Sequence, residues 1–423
     1  MDDAELGGRQ RVAPDRPEGL VLQRDGHRGQ AVLAFDLESV AYLRSDEGRG
    51  ALADVAGRPL TPASLVADIA WARTRFAERA GILVETVRLR RKAADKLPGT
   101  ADWLFTDEAL QQATAGVVAS HRAGRLTGAR VHDATCSIGT ELAALADRAG
   151  YVVGSDLDPV RLAMARNNLD TGGRAVPLLR ADALRPVTRD TVVLLDPARR
   201  RGGRRTFDPR EYTPPLDVAL DVYAGRDLVV KCAPGVDFGA LRRLGFTGEI
   251  EITSHAGSVR EACLWSAGLT PAGVTRRASV LDRGEELTDA EPDECPVAPA
   301  GRWIVDPDGA IVRAGLVRHY AARHGLWQLD PEIAYLSGDR LPDGVRGFEV
   351  LDQVAYQEKR LRQALAAHDA GSVEILVRGV DVDPDALRRR LKPRGAAAVS
   401  VVVTRLGSGT ASRATAFICR PSH

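Results

Sequence analysis

The first ordered part of the chain is predicted to be helical. Between residues 31 and about 97, apolar positions recur with the three- and four-residue spacing of amphipathic helices, as in Leu65, Ile69 and Ala72. Residues 1–30 are rich in Gly, Asp and Arg and lack this periodicity, so we expect a poorly ordered terminus.

One more amphipathic helix is predicted over residues 107–123. The Thr106 hydroxyl can cap its first turn. The inward-facing residues are Leu110, Ala113, Val117 and Val118. This helix leads into the next part of the chain.

Between residues 130 and 268 the pattern changes to short apolar runs. Seven runs have the length and composition of buried strands, and the first five alternate with stretches of helical spacing. This alternation predicts an α/β fold with a doubly wound, mainly parallel sheet. The last two runs follow each other closely, which indicates an antiparallel edge.

The C-terminal part has a different order of elements. The acidic, Pro-rich segment 285–301 is predicted to be an exposed loop. From about Phe348, strands and helices follow in an order that is typical of a small α+β unit. The predicted segments are a poorly ordered terminus (1–30), a helical domain (31–99), the sheet domain (100–272), a connector (273–328) and the α+β domain (329–423).

Composition narrows the classes of protein. Hydrophobic residues make up 44% and charged residues 27%, which is ordinary for a soluble globular protein. The chain has no run of 18 apolar residues and a polar start, so we expect a cytoplasmic protein with no membrane partner. The five cysteines lack Cys-x-x-Cys spacing, and no metal is expected. A formal net charge of +1 means that any nucleic acid must be recognised locally.

Three acidic residues follow the first three predicted strands. Asp133 begins a strand–turn–helix segment whose small residues let a ligand approach the backbone and the helix amides. Asp156 ends the second strand, where a carboxylate can accept both hydroxyls of a ribose. Asp182 ends the third strand, where a carboxylate can accept the exocyclic amine of adenine. Together they predict a site for a nucleoside cofactor.

This arrangement resembles the class I S-adenosylmethionine-dependent methyltransferases, which have a Gly-rich loop, a ribose-binding acid and an adenine-binding acid in the same order. Thr135 and Ser137 stand where that loop has its first two glycines. The resemblance implies a seven-stranded Rossmann-like sheet and S-adenosylmethionine as the cofactor. The residues that it assigns to the cofactor are Asp133, Thr135, Cys136, Gly139, Asp156 and Asp182.

Longer motifs resemble the bacterial methyltransferases that carry a C-terminal THUMP-like domain. They include residues 104–114, 133–139, 196–200 and 325–336. The resemblance implies that 329–423 is a THUMP-like domain, that Thr106 and Gln112 lie near the cofactor, and that structured RNA (tRNA or rRNA) is the partner. Residues 156–168 also resemble trimethylguanosine synthase, which methylates the cap guanine at N2.

The end of the fourth predicted strand carries the candidate catalytic residues. Asp196, Pro197 and Arg199 stand where the base methyltransferases that resemble this chain have an acid or amide, prolines and an aromatic residue that stacks on a flipped base. Methyl transfer requires the protein to hold the nucleophile and to take or share its proton. Asp196 suits this role, and the Arg199 guanidinium plane can stack on a base.

Basic residues near this strand are candidates for substrate binding. The predicted phosphate contacts are Arg200, Arg201, Arg204 and Arg205, although a solvated loop in an Arg-rich chain is the alternative. Lys231, at the end of the fifth strand, is a further candidate. We therefore predict a methyltransferase that acts on a base nitrogen in structured RNA.

Three alternatives remain open. Cys232 could add to a pyrimidine ring with Glu261 as the later base, because the RNA 5-methyluridine methyltransferases resemble this chain in Asp-Pro-Ala-Arg. The acceptor could instead be a small molecule, or the chain could be an inactive RNA-binding scaffold with an altered cofactor loop. His255 is interpreted as a rim residue. The RNA species, the modified position and the oligomeric state do not follow from the sequence.

Overall fold

The structure is a computed structural model that describes residues 35–201, 204–206, 208–407 and 409–422. The terminus predicted over 1–30 lies outside the described residues. The fold class is the predicted one, because a helical region precedes a large α/β sheet and a smaller α+β unit follows it.

Four helices come first, and their bounds are α1 (Leu37–Arg44), α2 (Asp46–Ala56), α3 (Leu65–Phe76) and α4 (Ala80–Ala93). Local side chains cap the first two. Asp36 accepts a hydrogen bond from Ser39 N at 2.7 Å, and Ser45 accepts one from Gly48 N at 3.0 Å. The apolar faces of these helices share one hydrophobic core with the sheet that follows.

The helix predicted over residues 107–123 is interrupted. Two helices, α5 (Asp107–Gln112) and α6 (Gly116–Arg125), take its place. Thr106 caps α5 as predicted, since its hydroxyl accepts a hydrogen bond from Ala109 N at 3.0 Å.

A lysine outside the helix accounts for the interruption. The Lys96 ammonium group donates to the carbonyl oxygens of Leu110 at 2.8 Å and Gln111 at 3.1 Å, which satisfies acceptors that a continuing helix would use. After the break Val117 is 39% exposed, so its predicted inward position is wrong, whereas Leu110 and Val118 are buried.

The large sheet follows. The strands between residues 130 and 288 are β1 (Arg130–Asp133), β2 (Tyr151–Asp156), β3 (Leu178–Arg180), β4 (Val192–Leu195), β5 (Arg200–Arg201), β6 (Arg204–Arg205), β7 (Leu228–Cys232), β8 (Gly248–His255), β9 (Ser258–Ser266), β10 (Arg276–Val280) and β11 (Glu285–Thr288). The sheet order is β11-β10-β8-β9-β7-β4-β1-β2-β3, and β5 and β6 form a separate hairpin. The intervening helices are α7 (Thr140–Ala146), α8 (Pro159–Thr171), α9 (Leu216–Val222) and α10 (Phe238–Arg243).

Among the described residues, the sheet has nine strands where seven were predicted. All seven predicted runs are strands, and β8 and β9 pair antiparallel as expected. They are not at the edge, because β10 pairs with β8 and β11 follows it. Both added strands begin with paired charged residues, Arg276–Arg277 and Glu285–Glu286, which hid their strand pattern. The predicted loop 285–301 therefore begins with a strand.

The remaining elements build a second sheet. Its strands are β12 (Trp303–Val305), β13 (Trp327–Asp330), β14 (Ile333–Gly338), β15 (Gly347–Ala355), β16 (Ala370–Arg378), β17 (Ala397–Leu406) and β18 (Arg413–Pro421), in the order β13-β14-β12-β15-β18-β17-β16. The helices are α11 (Gly309–Ala314), α12 (Val317–His324), α13 (Glu358–Ala367) and α14 (Pro384–Leu391). From β15 onward the order of elements is the predicted one.

The segment predicted as a connector, 273–328, is well packed. It contains β10, β11, β12, α11 and α12, and its buried Ile311 and Tyr320 share a hydrophobic core with Val230 of β7. A short linker would not contribute a core of this kind. The division of the chain into domains stays a prediction.

Candidate active site

A cavity of about 440 Å³ lies at the carboxyl ends of the parallel strands β1, β2, β3, β4 and β7. This is the edge at which open α/β sheets bind ligands, and the volume is within the usual range for a small-molecule site. Eight of the predicted site residues line it: Gln112, Asp133, Thr135, Cys136, Asp156, Asp182, Asp196 and Lys231.

Asp133 lies at the bottom of the cavity. The residue is 1% exposed, and its carboxyl accepts a hydrogen bond from Thr135 N at 3.2 Å. Burial raises the pKa of Asp133 well above its usual value, and the nearby Glu141 carboxylate raises it further. A cationic ligand group would favour the ionised form of this carboxyl.

The Thr135 side chain has a use that a glycine could not provide. Its hydroxyl accepts a hydrogen bond from the backbone N of Asp196 at 2.6 Å, which ties the loop after β1 to the loop after β4. The turn also forms without the missing glycines, because Ser137 adopts a φ of 48° and Gly139 a φ of 85°. The departures from the Gly-rich pattern therefore preserve the turn.

Asp156 is held in a fixed orientation at the end of β2. Its Oδ2 accepts a hydrogen bond from Ser137 N and its Oδ1 accepts one from Asp158 N, both at 2.9 Å. Each oxygen has a further lone pair that can accept a hydroxyl. Asp182 is oriented in the same way, by Leu184 N at 2.9 Å. Both carboxylates line the cavity, as the predicted ribose and adenine contacts require.

Two residues predicted to contact the cofactor do not line the cavity. Thr106 serves as the cap of α5. Gly139 is at the turn before α7, where an added Cβ would lie 3.4 Å from the Cβ of Ala165. Gly139 therefore allows the close approach of α7 and α8, and a left-handed φ favours glycine there.

The other end of the cavity carries the candidate acceptor site. Lys231 Nζ forms an ion pair with Asp196 Oδ2 and lies 3.4 Å from Glu141 Oε1. The backbones of Ala198 and Thr213 form two hydrogen bonds: Ala198 N donates to Thr213 O at 2.8 Å, and Thr213 N donates to Ala198 O at 3.0 Å. These bonds fix the loop that follows Asp196. The rim at this end is formed by Ala198, Thr213, Pro214 and Pro215.

Six predicted residues remain: two follow β4, and four belong to the hairpin β5–β6. Pro197 is buried and Arg199 is half-buried, and neither lines the cavity. The phosphate contacts predicted for the hairpin β5–β6 involve side chains that lie outside what the structure describes: Arg200, Arg201, Arg204 and Arg205. Their assignment stays a prediction.

Glu141 is a cavity residue that the sequence analysis missed. Its carboxylate accepts a hydrogen bond from Arg122 at 2.5 Å, and it also faces Lys231. Burial alone would raise the pKa of Glu141, but Arg122 and Lys231 lower it to about 2. A buried Glu in the first turn of α7 has no local signal, because both partners are distant in sequence.

Glu141 should contribute to stability at neutral pH. A carboxyl whose pKa falls from 4.5 to about 2 on folding contributes on the order of 3 kcal/mol above pH 4.5, and this contribution is lost as the pH falls toward 2. We expect Glu141→Gln to lower the Tm at pH 7 and to differ less from the wild type at pH 3. Differential scanning fluorimetry between pH 3 and pH 7 measures this, and a Tm difference that does not depend on pH would contradict it.

Cys232 is not placed to act as a nucleophile. The residue is 0% exposed, does not line the cavity, and burial raises the pKa of its thiol to about 12. Glu261, its predicted partner base, is buried in an ion pair with Arg122. These positions disfavour the C5 mechanism.

We expect Cys232→Ser to keep methyl transfer within about threefold of the wild-type rate, because a buried thiol outside the cavity takes no part in the reaction. Transfer of labelled methyl at equal concentrations of folded protein measures this. Complete loss of transfer with unchanged cofactor affinity would restore the pyrimidine C5 mechanism.

Similar sequences identify the family of this chain. Two sequences of uncharacterized S-adenosylmethionine-dependent methyltransferases, from Mycobacterium tuberculosis strains CDC 1551 and H37Rv, are each 65% identical over 356 residues, which is 83% of this chain and 99% of theirs. The chain belongs to the S-adenosylmethionine-dependent methyltransferases. The inactive scaffold therefore loses its support, and S-adenosylmethionine is the cofactor.

Other comparisons concern the fold and its parts. Residues 345–421 match the family described as THUMP domain-like, and residues 36–93 match a domain of unknown function. A crystal structure from Porphyromonas gingivalis W83, described as a methyltransferase, superposes with a TM-score of 0.68 at 17% identity and covers 92% of this chain and 100% of its own. At that identity the likeness shows the fold.

The cavity of this methyltransferase suits its cofactor. The carboxylates of Asp133, Asp156 and Asp182 line the cavity, and they would accept hydrogen bonds from polar groups of the cofactor. Thr140 also lines the cavity, and its buried Oγ1 has no hydrogen-bond partner among the described residues. Leu157, next to Asp156, is 61% exposed at the cavity rim, where an apolar side chain can cover a flat ring.

Two further features are absent from the described residues. These residues contain no group of three or more His, Cys, Asp or Glu that could hold a metal ion. None of their helices combines the length and apolar character needed to cross a membrane.

Proposed function

We propose that this methyltransferase transfers a methyl group to a base nitrogen in structured RNA, with tRNA and rRNA as the first candidates. The observation that carries the proposal is the THUMP domain-like match over residues 345–421. THUMP domains bind structured RNA, as the sequence resemblance implies. An RNA acceptor implies a cytoplasmic location. The five cysteines are buried free thiols, which is typical of proteins in a reducing compartment and supports that location.

The α+β unit offers basic side chains for RNA. Arg388 and Arg390 are engaged with Asp385 at 2.7 Å and Glu358 at 2.8 Å. Arg389, Lys392 and Arg394 are also exposed at this end of α14. Exposed cations of this kind suit phosphate oxygens.

The acceptor end of the cavity supports a positioning mechanism. When bound, S-adenosylmethionine supplies the methyl group as an electrophilic carbon on a positively charged sulfur. Lys231 occupies Oδ2 of Asp196, which leaves Oδ1 to accept a hydrogen bond from an acceptor N–H. Asp196 would thus orient the nitrogen and share its proton, while Arg199 and the hairpin β5–β6 would contact the base or its phosphates.

Calorimetry with and without RNA tests the proposed acceptor. We expect S-adenosylhomocysteine to bind with a micromolar Kd, and to bind more tightly when tRNA or rRNA is present. The double variant Arg389→Glu, Lys392→Glu should weaken the effect of RNA without changing the Kd measured in its absence. Binding that RNA does not alter would contradict the proposal and favour a small-molecule acceptor.

A further inference from the structure

A chain of five charges, four of them buried, connects the interior of the large sheet with Asp196. In spatial order its members are Glu261 on β9, Arg122 on α6, Glu141 on α7, Lys231 on β7 and Asp196 after β4. Arg122 contacts both glutamates, and Lys231 contacts both Glu141 and Asp196. Negative and positive charges alternate along the chain.

Both cations meet at one atom of Glu141. Its Oε1 lies 2.5 Å from Nη1 of Arg122 and 3.4 Å from Nζ of Lys231. Lysine has a flexible four-carbon stem, so its ammonium group needs partners to fix its position. Glu141 is therefore the link through which the rigid, buried guanidinium restrains the Lys231 ammonium.

Burial makes this arrangement costly. The side chains of Arg122, Glu141, Lys231 and Glu261 are between 2% and 9% exposed, whereas that of Asp196 is 26% exposed. Buried ion pairs are often no more stabilising than apolar residues of similar volume. Stability alone is thus a weak explanation for the chain of charges. A role in catalysis is the alternative, because the exposed end of the chain is the candidate catalytic carboxylate, Asp196.

We propose that Glu141 is a positioning residue for methyl transfer: it holds the Lys231 ammonium group against Oδ2 of Asp196, so that Oδ1 faces the methyl acceptor. This inference rests on the proposed role of Asp196. The inner four charges cancel in pairs, which leaves one negative charge at Asp196 on the cavity side. Such a charge suits a site for a cationic methyl donor.

Selective 15N labelling of lysine tests this link, because the chain has few lysines: Lys92, Lys96, Lys231, Lys359 and Lys392. In the wild type we expect an NH3+ signal from Lys231 at 25 °C, because burial and ion pairing slow its exchange with water. Lys231→Met identifies the signal. Glu141→Gln should abolish it, and Glu141→Asp, which keeps the charge, should restore it.

The same variants predict a pattern of rates. With saturating S-adenosylmethionine, Glu141→Gln should transfer methyl to RNA at least 30-fold more slowly than the wild type, and its Kd for S-adenosylhomocysteine should stay within threefold. Glu141→Asp should recover to within tenfold of the wild-type rate. A structural role alone would not separate the rate from the Kd in this way.

Glu251 provides a matched control. It is a 1% exposed glutamate on β8, paired with Arg125 at 2.7 Å and with Trp265 Nε1 at 2.8 Å, and it does not line the cavity. Glu251→Gln also removes a buried charge, so it should lower the Tm. It should leave the Lys231 signal and the rate per folded protein unchanged.

An unchanged Lys231 signal and an unchanged rate in Glu141→Gln would overturn the proposal. If that variant does not fold, Lys231→Met supplies the test, since a rate within threefold of the wild type would overturn it as well. If the wild type methylates no RNA, the proposed acceptor is wrong, and the comparison of lysine signals still decides the positioning role.

Discussion

Asp156→Ala should raise the Kd for S-adenosylmethionine at least tenfold. The carboxylate is held by Ser137 N and Asp158 N with lone pairs left for ribose hydroxyls. Losing a charge-assisted hydrogen bond of about 1.5–3 kcal/mol corresponds to a tenfold or larger change in Kd. Isothermal titration calorimetry of the purified protein measures this effect.

Asp170→Ala is the appropriate control for that substitution. Asp170 is a surface carboxylate on α8 that pairs with Arg44 at 3.1 Å, and it does not line the cavity. Asp170→Ala changes the net charge by the same amount as Asp156→Ala. Because Asp170 lies outside the cavity, the Kd of this variant for S-adenosylmethionine should match that of the wild type. An unchanged Kd in Asp156→Ala, with a wild-type Tm, would refute the ribose assignment.

Asp196→Asn should lower the rate of methyl transfer by about 100-fold, since positioned proton acceptors typically contribute 10²- to 10⁴-fold. The substitution keeps the shape of the side chain but removes its charge and one acceptor oxygen. The Kd for S-adenosylhomocysteine should stay within threefold of the wild-type value, because the predicted cofactor contacts come from α5 and from the carboxyl ends of β1, β2 and β3, and not from Asp196. Single-turnover transfer to RNA measures the rate.

The comparison of Asp196→Asn with Glu141→Gln tests whether the two residues act on the same step. If Asp196 orients the acceptor and Glu141 acts through Lys231, both variants lose rate and retain cofactor affinity. A rate within fivefold of the wild type in Asp196→Asn would remove Asp196 from the mechanism. It would also leave the buried chain of charges without a catalytic role.

The sequence predicted that three carboxylates converge at one end of the cavity, because the sheet topology fixes their positions. Parallel strands bring their carboxyl ends to one edge, so Asp133, Asp156 and Asp182 had to converge once the strands were identified. The Thr106 cap could also be predicted, since helix capping depends on neighbours within one turn. Each of these inferences used local pattern or strand order alone.

Features set by distant partners could not be predicted. Glu141 meets Arg122 and Lys231, which lie on two other elements, and no spacing rule connects the three. The end of α5 depends on Lys96, a residue that precedes the helix by more than ten positions. The altered cofactor loop is compatible with an inactive scaffold when only the sequence is considered, because the hydrogen bond from Asp196 N to the Thr135 hydroxyl joins residues 61 positions apart.

The extra strands of the sheet show how charge conceals a strand. In β10, Arg277 pairs with the buried Glu249 at 2.8 Å and with Glu286 of β11 at 2.7 Å. Such residues suggest a solvated loop when each is considered alone. Their charges are compensated across strands, and this pairing is visible only in three dimensions.

The most direct test of the proposed function is the identity of the methylated product. Purified protein is incubated with methyl-labelled S-adenosylmethionine and separate tRNA and rRNA fractions, and the RNA is digested to nucleosides for mass spectrometry. We predict label in a nucleoside methylated on a base nitrogen, formed by the wild type and about 100-fold more slowly by Asp196→Asn. Label on a pyrimidine C5 carbon, or no label in either RNA, would contradict the account.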